Sequence, residues 1–347
     1  MRAVKPEFVH LHVHSDYSFL DGACKVGDLV RKVSGLGMKA CALTDHGNML
    51  GAIEFYDAAL KAGIKPILGM EAYIAPRSRL DRKEVKGMKE PHHHLTLLVR
   101  NEKGYRNLLK LTSSSYREGF YTKPRMDKEV LAAHHEGLIA LSGCAHSEFA
   151  QACKTDQMDK ALKAADEFKQ IFGAENFFLE IQSHGLDDEK KIFEGSRIAA
   201  RDLGLALVAT NDAHYLAKDD AHAHDALLAL AAGKLVTDTD RLRYPTPEFY
   251  IKSPEEMAHA FAHAPEALKA TVEIAGRCHL ELRFDEIHLP RFELPDKALK
   301  TDDYLRELCI KGAKEKYGDP IPDKVRERMD YELSVMNKMG FASYFLI

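Results

Sequence analysis

No stretch of this sequence approaches the roughly 18 apolar residues that a membrane-spanning helix requires. Its opening residues, MRAVKPEFVHLHVHSDYS, also lack the continuous apolar segment of an export signal. A spanning helix is excluded, and cytoplasmic residence is the expectation. Cysteine is sparse and scattered. The six thiols, at positions 24, 41, 144, 153, 278 and 309, form neither a CxxC pair nor a dense framework, so reduced side chains are expected, any of which can act as a ligand. Positive charge is short as well. The formal net charge is −4, whereas a protein that grips duplex DNA non-specifically presents a basic excess. Internal repeats and low-complexity tracts are missing.

Histidine, by contrast, is abundant, with 18 among 347 residues. That is more than core packing or surface chance supplies. With 45% hydrophobic residues the chain can bury one large domain and part of a second. From Phe8 to about His214, short apolar runs alternate with amphipathic segments, as in βα units around a mostly parallel sheet. Seven runs read as strands: FVHLHVH (8–14), ACALT (40–44), KPILGMEAYI (65–74), HLTLLV (94–99), GLIALS (137–142), NFFLEI (176–181) and LALVAT (205–210). The expected fold class is α/β, a distorted (β/α)7 TIM-like barrel over residues 1–217. A helical region at 218–285 completes this domain, and 286–347 begins a second, truncated domain. The final segment, VRERMDYELSVMNKMGFASYFLI, is an amphipathic helix that runs into apolar residues without a cap. The basic run RSRLDRKEVKGMK (77–89) reads as a solvated loop.

Reactive side chains gather at the C-terminal ends of the strands, where barrel active sites form. They are His12 and His14, Asp45 and His46, Glu71, Cys144, and Asp212 with His214. His94 departs from this pattern by opening its strand. In an extended strand, residues two apart share a face, so His12 and His14 can chelate one ion. His10 shares that face too, and an HxH pair alone is weak evidence. Asp45 could instead cap a helix, and a buried imidazole can be satisfied by one carbonyl. Three such clusters at three strand ends make these bland readings improbable together.

HLHVHSDYSFLDGA, ALTDHGNMLGAIEFY, GIKPILGMEAYIAP, HLTLLV, GFYTKPRMD, GLIALSGC and ATNDAHY occur in this order. Over residues 8 to 217 the sequence thus resembles the PHP domain of bacterial DNA polymerase III alpha subunits, and the tail ELSVMNKMGFASYFLI resembles the entry to their palm domain. The resemblance implies nine ligands around three divalent ions: His12, His14, Asp21, His46, Glu71, His94, Cys144, Asp212 and His214. It groups His12, His14, Glu71 and Asp212 around one ion, Glu71, His94 and Cys144 around a second, and Asp21, His46 and His214 around a third. His10 and Asp45 match no ligand position and are expected to orient ligands.

Imidazoles with a thiolate and carboxylates suit Zn²⁺, Mn²⁺ or Fe²⁺, between which the sequence does not choose. The implied reaction is phosphodiester hydrolysis, as a 3′–5′ proofreading exonuclease, with Asp212, His214, His14 and Glu71 at its centre. Lys123 and Arg125, in a loop, are candidate phosphate clamps, and Glu180 and His184 are candidate substrate or orienting groups. The implied partners are DNA at a single-stranded or mismatched 3′ end, and replication subunits such as a sliding clamp or a separate proofreading subunit. Nothing after 285 supplies the clustered acidic residues of a polymerase centre. Two alternatives stay open, a metal-braced scaffold that docks another subunit and a free-standing PHP phosphatase.

Overall fold

The computed structural model describes residues 6–83, 92–284, 292–296 and 298–347. It divides into two units, Met1–Glu281 and Leu282–Ile347. In the first unit one curled, mixed sheet contains β1 (Ala40–Leu43), β2 (Lys65–Ile74), β3 (His93–Val99), β4 (Phe120–Tyr121), β5 (Lys123–Met126), β6 (Leu138–Leu141), β7 (Phe177–Ile181) and β8 (Ala206–Ala209). Its helices are α1 (Val26–Gly35), α2 (Ala52–Lys61), α3 (Glu102–Arg117), α4 (Lys128–His134), α5 (Glu148–Lys154), α6 (Met158–Phe172), α7 (Asp187–Leu203), α8 (Ala221–Ala231), α9 (Pro254–Ala260) and α10 (Pro265–Arg277). Among the described residues no helix is long and apolar enough to cross a membrane.

β2 is the longest strand and organises one side of the sheet. Its first half pairs with β1 in parallel, Ala40 beside Lys65, and its end pairs with β5 in parallel, Tyr73 beside Arg125. Along its other edge lies β3, antiparallel, with Glu71 beside Thr96 and Tyr73 beside His94. β6 follows antiparallel to β3, and β7 and β8 continue in parallel. The sheet is therefore less parallel than the alternating sequence pattern implied. Reversal of β3 also accounts for His94: the opening residues of an antiparallel strand reach the same rim as the last residues of its neighbour, with His94 beside Tyr73 of β2.

Residues 8–14 close the sheet on itself. The carbonyls of His10 and Val13 accept from the N–H groups of Ala42 and Thr44 at 2.8 and 2.9 Å, and His14 N–H donates to the Ala213 carbonyl at 2.8 Å. The segment was expected as a regular strand, yet among the described residues its one ladder contact is the bridge between Val13 and Ala213. One physical reason is that the Val13 N–H is diverted to the Thr44 hydroxyl at 2.9 Å. The expected loop YTKPRMD is likewise a short hairpin, β4 with β5, in which Pro124 faces Phe120. Of the basic run, residues 84–89 lie outside the described residues; Arg77 pairs with Asp81 and Arg79 with Glu118 and Asp127.

The two ends of this barrel differ chemically. At one, Val9, Leu11, Ile67, Leu98, Ile139 and Phe178 pack with Ala270 and Ile274 of α10. Each large side chain buried there contributes roughly 1.5–3 kcal/mol relative to exposure, so this end supplies stability. The other end is lined by histidines and carboxylates.

The second unit has α11 (Thr301–Tyr317), α12 (Asp323–Lys338) and α13 (Ala342–Leu346). Leu305, Leu333 and Ala342 form its small core, supported by Cys309, Met329, Met336 and Leu346. The closing amphipathic pattern is thus two helices separated at Gly340, whose φ of 73° ends α12.

Candidate metal centre

The polar rim draws on the segment 8–14 and on the ends of β1, β2, β3, β6 and β8. The extended segment 8–14 supplies His12 and His14, and the turn after it supplies Asp21. That turn depends on Gly22, because a Cβ there would lie 1.9 Å from the Ser15 carbonyl oxygen. His46 follows β1, Glu71 belongs to β2, His94 to β3, and Cys144 follows β6. Asp212 and His214 follow β8, where Asp212 adopts φ 43°, an unusual conformation for a residue other than glycine. The bend lets the Asp212 carbonyl accept from His214 Nδ1 at 2.7 Å.

Glu71 occupies the middle of the site. Its Oε1 lies 3.0 Å from His94 Nδ1, 3.4 Å from His12 Nε2 and 3.2 Å from Cys144 Sγ. Its Oε2 lies 2.7 Å from His46 Nδ1 and 3.3 Å from His14 Nε2. Asp212 Oδ1 sits 3.3 and 3.2 Å from the Nε2 atoms of His12 and His14. Asp21 Oδ2 reaches His46 Nε2 at 3.0 Å and His214 Nε2 at 3.8 Å. The nine side chains expected as ligands are thus brought together.

Partners outside the nine fix which nitrogen of the His12 and His14 rings faces inward. His12 Nδ1 donates to Glu180 Oε1 at 2.7 Å, and Glu180 is itself held by the Thr210 hydroxyl at 2.6 Å and Gln182 at 2.9 Å. His14 Nδ1 donates to the Ser18 hydroxyl at 2.9 Å, which donates in turn to Asp45 Oδ1 at 2.7 Å. Both rings therefore keep Nε2 free to bind a cation, the usual arrangement behind a metal-binding imidazole. Glu180→Gln is expected to weaken metal affinity 10–100-fold; competition with a chelating dye measures this, and unchanged affinity would show that Glu180 does not set the His12 ring.

The cluster is electrostatically polarised. Burial alone would raise Glu71, but His94, His12 and His46 hold its carboxyl well below the usual range. Asp21 is likewise held low, against burial, by His214, His224 and His46. Burial pulls His46 down, and Glu71 with Asp21 overcomes it, lifting the imidazole to about 10. Burial, reinforced by Glu71 and Asp212, pushes the Cys144 thiol up, so that a thiolate there needs a cation beside it.

The residues fit a group of metal ions. His12 Nε2, His14 Nε2, His46 Nδ1, Glu71 Oε2 and Asp212 Oδ1 are buried and lack hydrogen-bond partners. Neighbouring atoms among these five lie 2.7–3.3 Å apart, so mutual attraction offsets part of the roughly 1–3 kcal/mol that each would cost alone, and a cation among them would satisfy them all. Three sets of donor atoms are mutually close enough to share an ion: His12, His14, Glu71 and Asp212; His46, Glu71 and His94; and His14, His46 and His214. Imidazoles, carboxylates and one thiol suit borderline transition ions.

The remaining expected residues are placed elsewhere. Arg125 is buried, and its guanidinium donates to the carbonyls of Gly119, Arg79 and Asp81 at 3.2, 3.3 and 2.8 Å. These bonds fasten the β5 hairpin to the chain around Arg79 and take up donors that a phosphate clamp would need. Arg125→Met should cost about 2–4 kcal/mol in denaturant unfolding by orphaning those carbonyls, with KM for DNA unchanged. Lys123 stays at the rim, its Nζ 5.4 Å from the Tyr73 ring, which stacks on His46. His184 is committed on both ring nitrogens, to Glu189 at 2.8 Å and the Asn211 carbonyl at 3.0 Å. His10, expected to orient a ligand, instead bonds the Lys252 carbonyl at 2.9 Å, and burial lowers it to about 4.

Two site residues carried no sequence signal. Tyr244 bonds His214 Nε2 at 3.0 Å from a segment without periodicity, and His224 of α8 bonds the Asp21 carbonyl at 2.8 Å. Arg241, paired with Asp225 at 2.6 Å, anchors the segment bearing Tyr244.

Comparison with known proteins matches residues 10–184 to the PHP domain and residues 303–347 to the bacterial DNA polymerase III alpha NTPase domain. The DNA polymerase III subunit alpha of Treponema pallidum is 44% identical over 340 residues, covering 98% of this chain and 29% of that protein. Its counterpart from Thermus aquaticus is 40% identical over 404 residues, covering 99% of this chain and 33% of that protein. The chain thus spans about a third or less of the length of these relatives. Among solved structures, an amidohydrolase from Chromobacterium violaceum aligns with a TM-score of 0.38 at 17% identity, over 59% of this chain and 87% of that one.

Proposed function

The chain belongs to the PHP family, and on that premise we propose that it is part of a DNA polymerase III alpha subunit whose PHP site removes nucleotides from 3′ ends of DNA. The supporting observation is the set of five buried, unpartnered donor atoms that face one another inside the nine expected ligands. Similarity to alpha subunits through the second unit favours this reading over a free-standing PHP phosphatase. The site would work in the cytoplasm, beside the polymerase centre of the longer protein and among its replication subunits.

His12, His14, Glu71 and Asp212 would hold one ion; Glu71, His94 and Cys144, with His46 near, a second; and Asp21, His46 and His214 a third. Zn²⁺, Mn²⁺ or Fe²⁺ bound there would supply Lewis acidity and a nucleophilic water near neutral pH. Glu180 and the Ser18–Asp45 pair keep the His12 and His14 rings in the tautomer that leaves Nε2 free. The β-barrel rim excludes bulk water from these groups, since His12, His14 and Glu71 are almost fully buried. In the reaction a water oxygen bonds to phosphorus while the bond to the 3′ oxygen of the preceding sugar breaks. The proton ends on that departing oxygen, and the terminal nucleotide leaves as a 5′-monophosphate. The test is incubation of the protein with single-stranded and 3′-mismatched DNA and Mn²⁺ or Zn²⁺. Mononucleotide release that stops on chelation is expected; its absence with every ion would overturn the proposal.

A further inference from the structure

A cleft of about 440 Å³ opens directly onto the ligands Cys144 and Asp212, within the size range of small-molecule sites. Its walls carry Leu186, Ile192, Phe193, Leu242, Pro245 and Phe249. Tyr244 stands where the cleft meets His214, its ring 4.4 Å from that of Phe249. The walls are thus apolar and partly aromatic, which suits a nucleobase and its sugar better than a phosphate.

The mouth has the opposite character. α7 begins there with Asp187 and Asp188, both exposed, and the Asp188 side chain is 57% accessible, with Lys154 at 3.4 Å. Arg243, the other cation of the lining, lies 3.2 Å from Asp225, which Arg241 also holds; with Lys154 it faces three carboxylates, Asp187, Asp188 and Glu189, from the first turn of α7. A nucleic-acid strand threaded through the cleft would carry its next phosphate past these carboxylates. Two like charges a few ångströms apart at a protein surface repel by an amount that shifts binding roughly tenfold.

We infer that the cleft receives one terminal nucleoside bearing a free hydroxyl, and that Asp187 and Asp188 turn away any further phosphate, restricting the site to exonucleolytic cleavage. The inference rests on the phosphodiester reading above and deepens it. Attraction near the ions and repulsion at the mouth together set the direction in which a strand can lie. A base still paired to its partner cannot follow into so narrow a space, so the end must be single-stranded or frayed.

Calorimetric titration of the Mn²⁺-loaded protein with deoxyadenosine 5′-monophosphate and deoxyadenosine 3′,5′-bisphosphate tests this. The monophosphate should bind roughly tenfold more tightly, Asp187→Asn with Asp188→Asn should bring the two within about threefold, and Phe193→Ala should weaken the monophosphate roughly 5–100-fold. The Asn pair removes only first-turn charges of α7 and leaves the helix formed. Equal affinities in the unaltered protein, or a preference that survives in the Asn pair, would overturn the inference. So would nicking of a single-stranded circle by the unaltered protein. If the monophosphate binds selectively but no DNA is degraded, the nuclease reading fails and the cleft assignment stands. If DNA is degraded without end selectivity, the reverse holds.

Discussion

Asp212→Asn is expected to lower nucleotide release by roughly 10³-fold or more, because it removes several kcal/mol of charge stabilisation at the reacting phosphate. Asp212 Oδ1 touches the free nitrogens of both His12 and His14, and its carbonyl fixes the ring of His214. One residue therefore acts on three of the expected ligands. Asparagine keeps the shape, tolerates the positive φ and retains the carbonyl bond, so the folded protein should survive while one negative charge is lost. Steady-state release from a 3′-mismatched strand, with bound metal measured on the same sample, checks this. A loss smaller than tenfold would place Asp212 outside the chemistry.

The second large effect is thermal. Chelation should lower the melting temperature of the first unit by roughly 5–10 °C for each ion removed, since one ion at 100-fold above its dissociation constant contributes about 2.7 kcal/mol and each kcal/mol moves a domain of this size by about 2–4 °C. Protons soften the loss. Once the ions leave, the raised His12 and His46 imidazoles become cations beside Glu71, Asp212 and Asp21. They replace only part of the charge and leave the Cys144 thiol neutral. Differential scanning fluorimetry with and without chelator gives the number; an unchanged midpoint would mean that the cluster holds no tightly bound ion. A large shift in a protein without nuclease activity would favour the scaffold reading, which the deep burial of the ligands also accommodates.

Local pattern carried the closed α/β sheet and the helices around it, because amphipathic spacing and short apolar runs are set within a few residues. Strand direction is not. Nothing within HLTLLV distinguishes a parallel strand from an antiparallel one, and His94 looked misplaced until β3 proved reversed. Family likeness supplied the nine expected ligands, including Asp21 and Cys144, which no short motif marks. The residues around them were harder. Arg125 lies next to Pro124 in a stretch rich in loop-like residues, and only the hairpin's pairing with Tyr73 reveals why it is buried. Tyr244 reaches His214 across 30 positions of chain, a contact made by the Asp225–Arg241 anchor rather than by any periodicity.

The claim on which the rest depends is that the barrel rim binds a cluster of transition ions. Elemental analysis of the purified protein measures this directly. One ion for each of the three donor groups is expected, with the content falling sharply in Glu71→Ala, whose carboxylate belongs to two of them. A metal content near zero after purification without chelator and exposure to Zn²⁺, Mn²⁺ and Fe²⁺ would contradict the account.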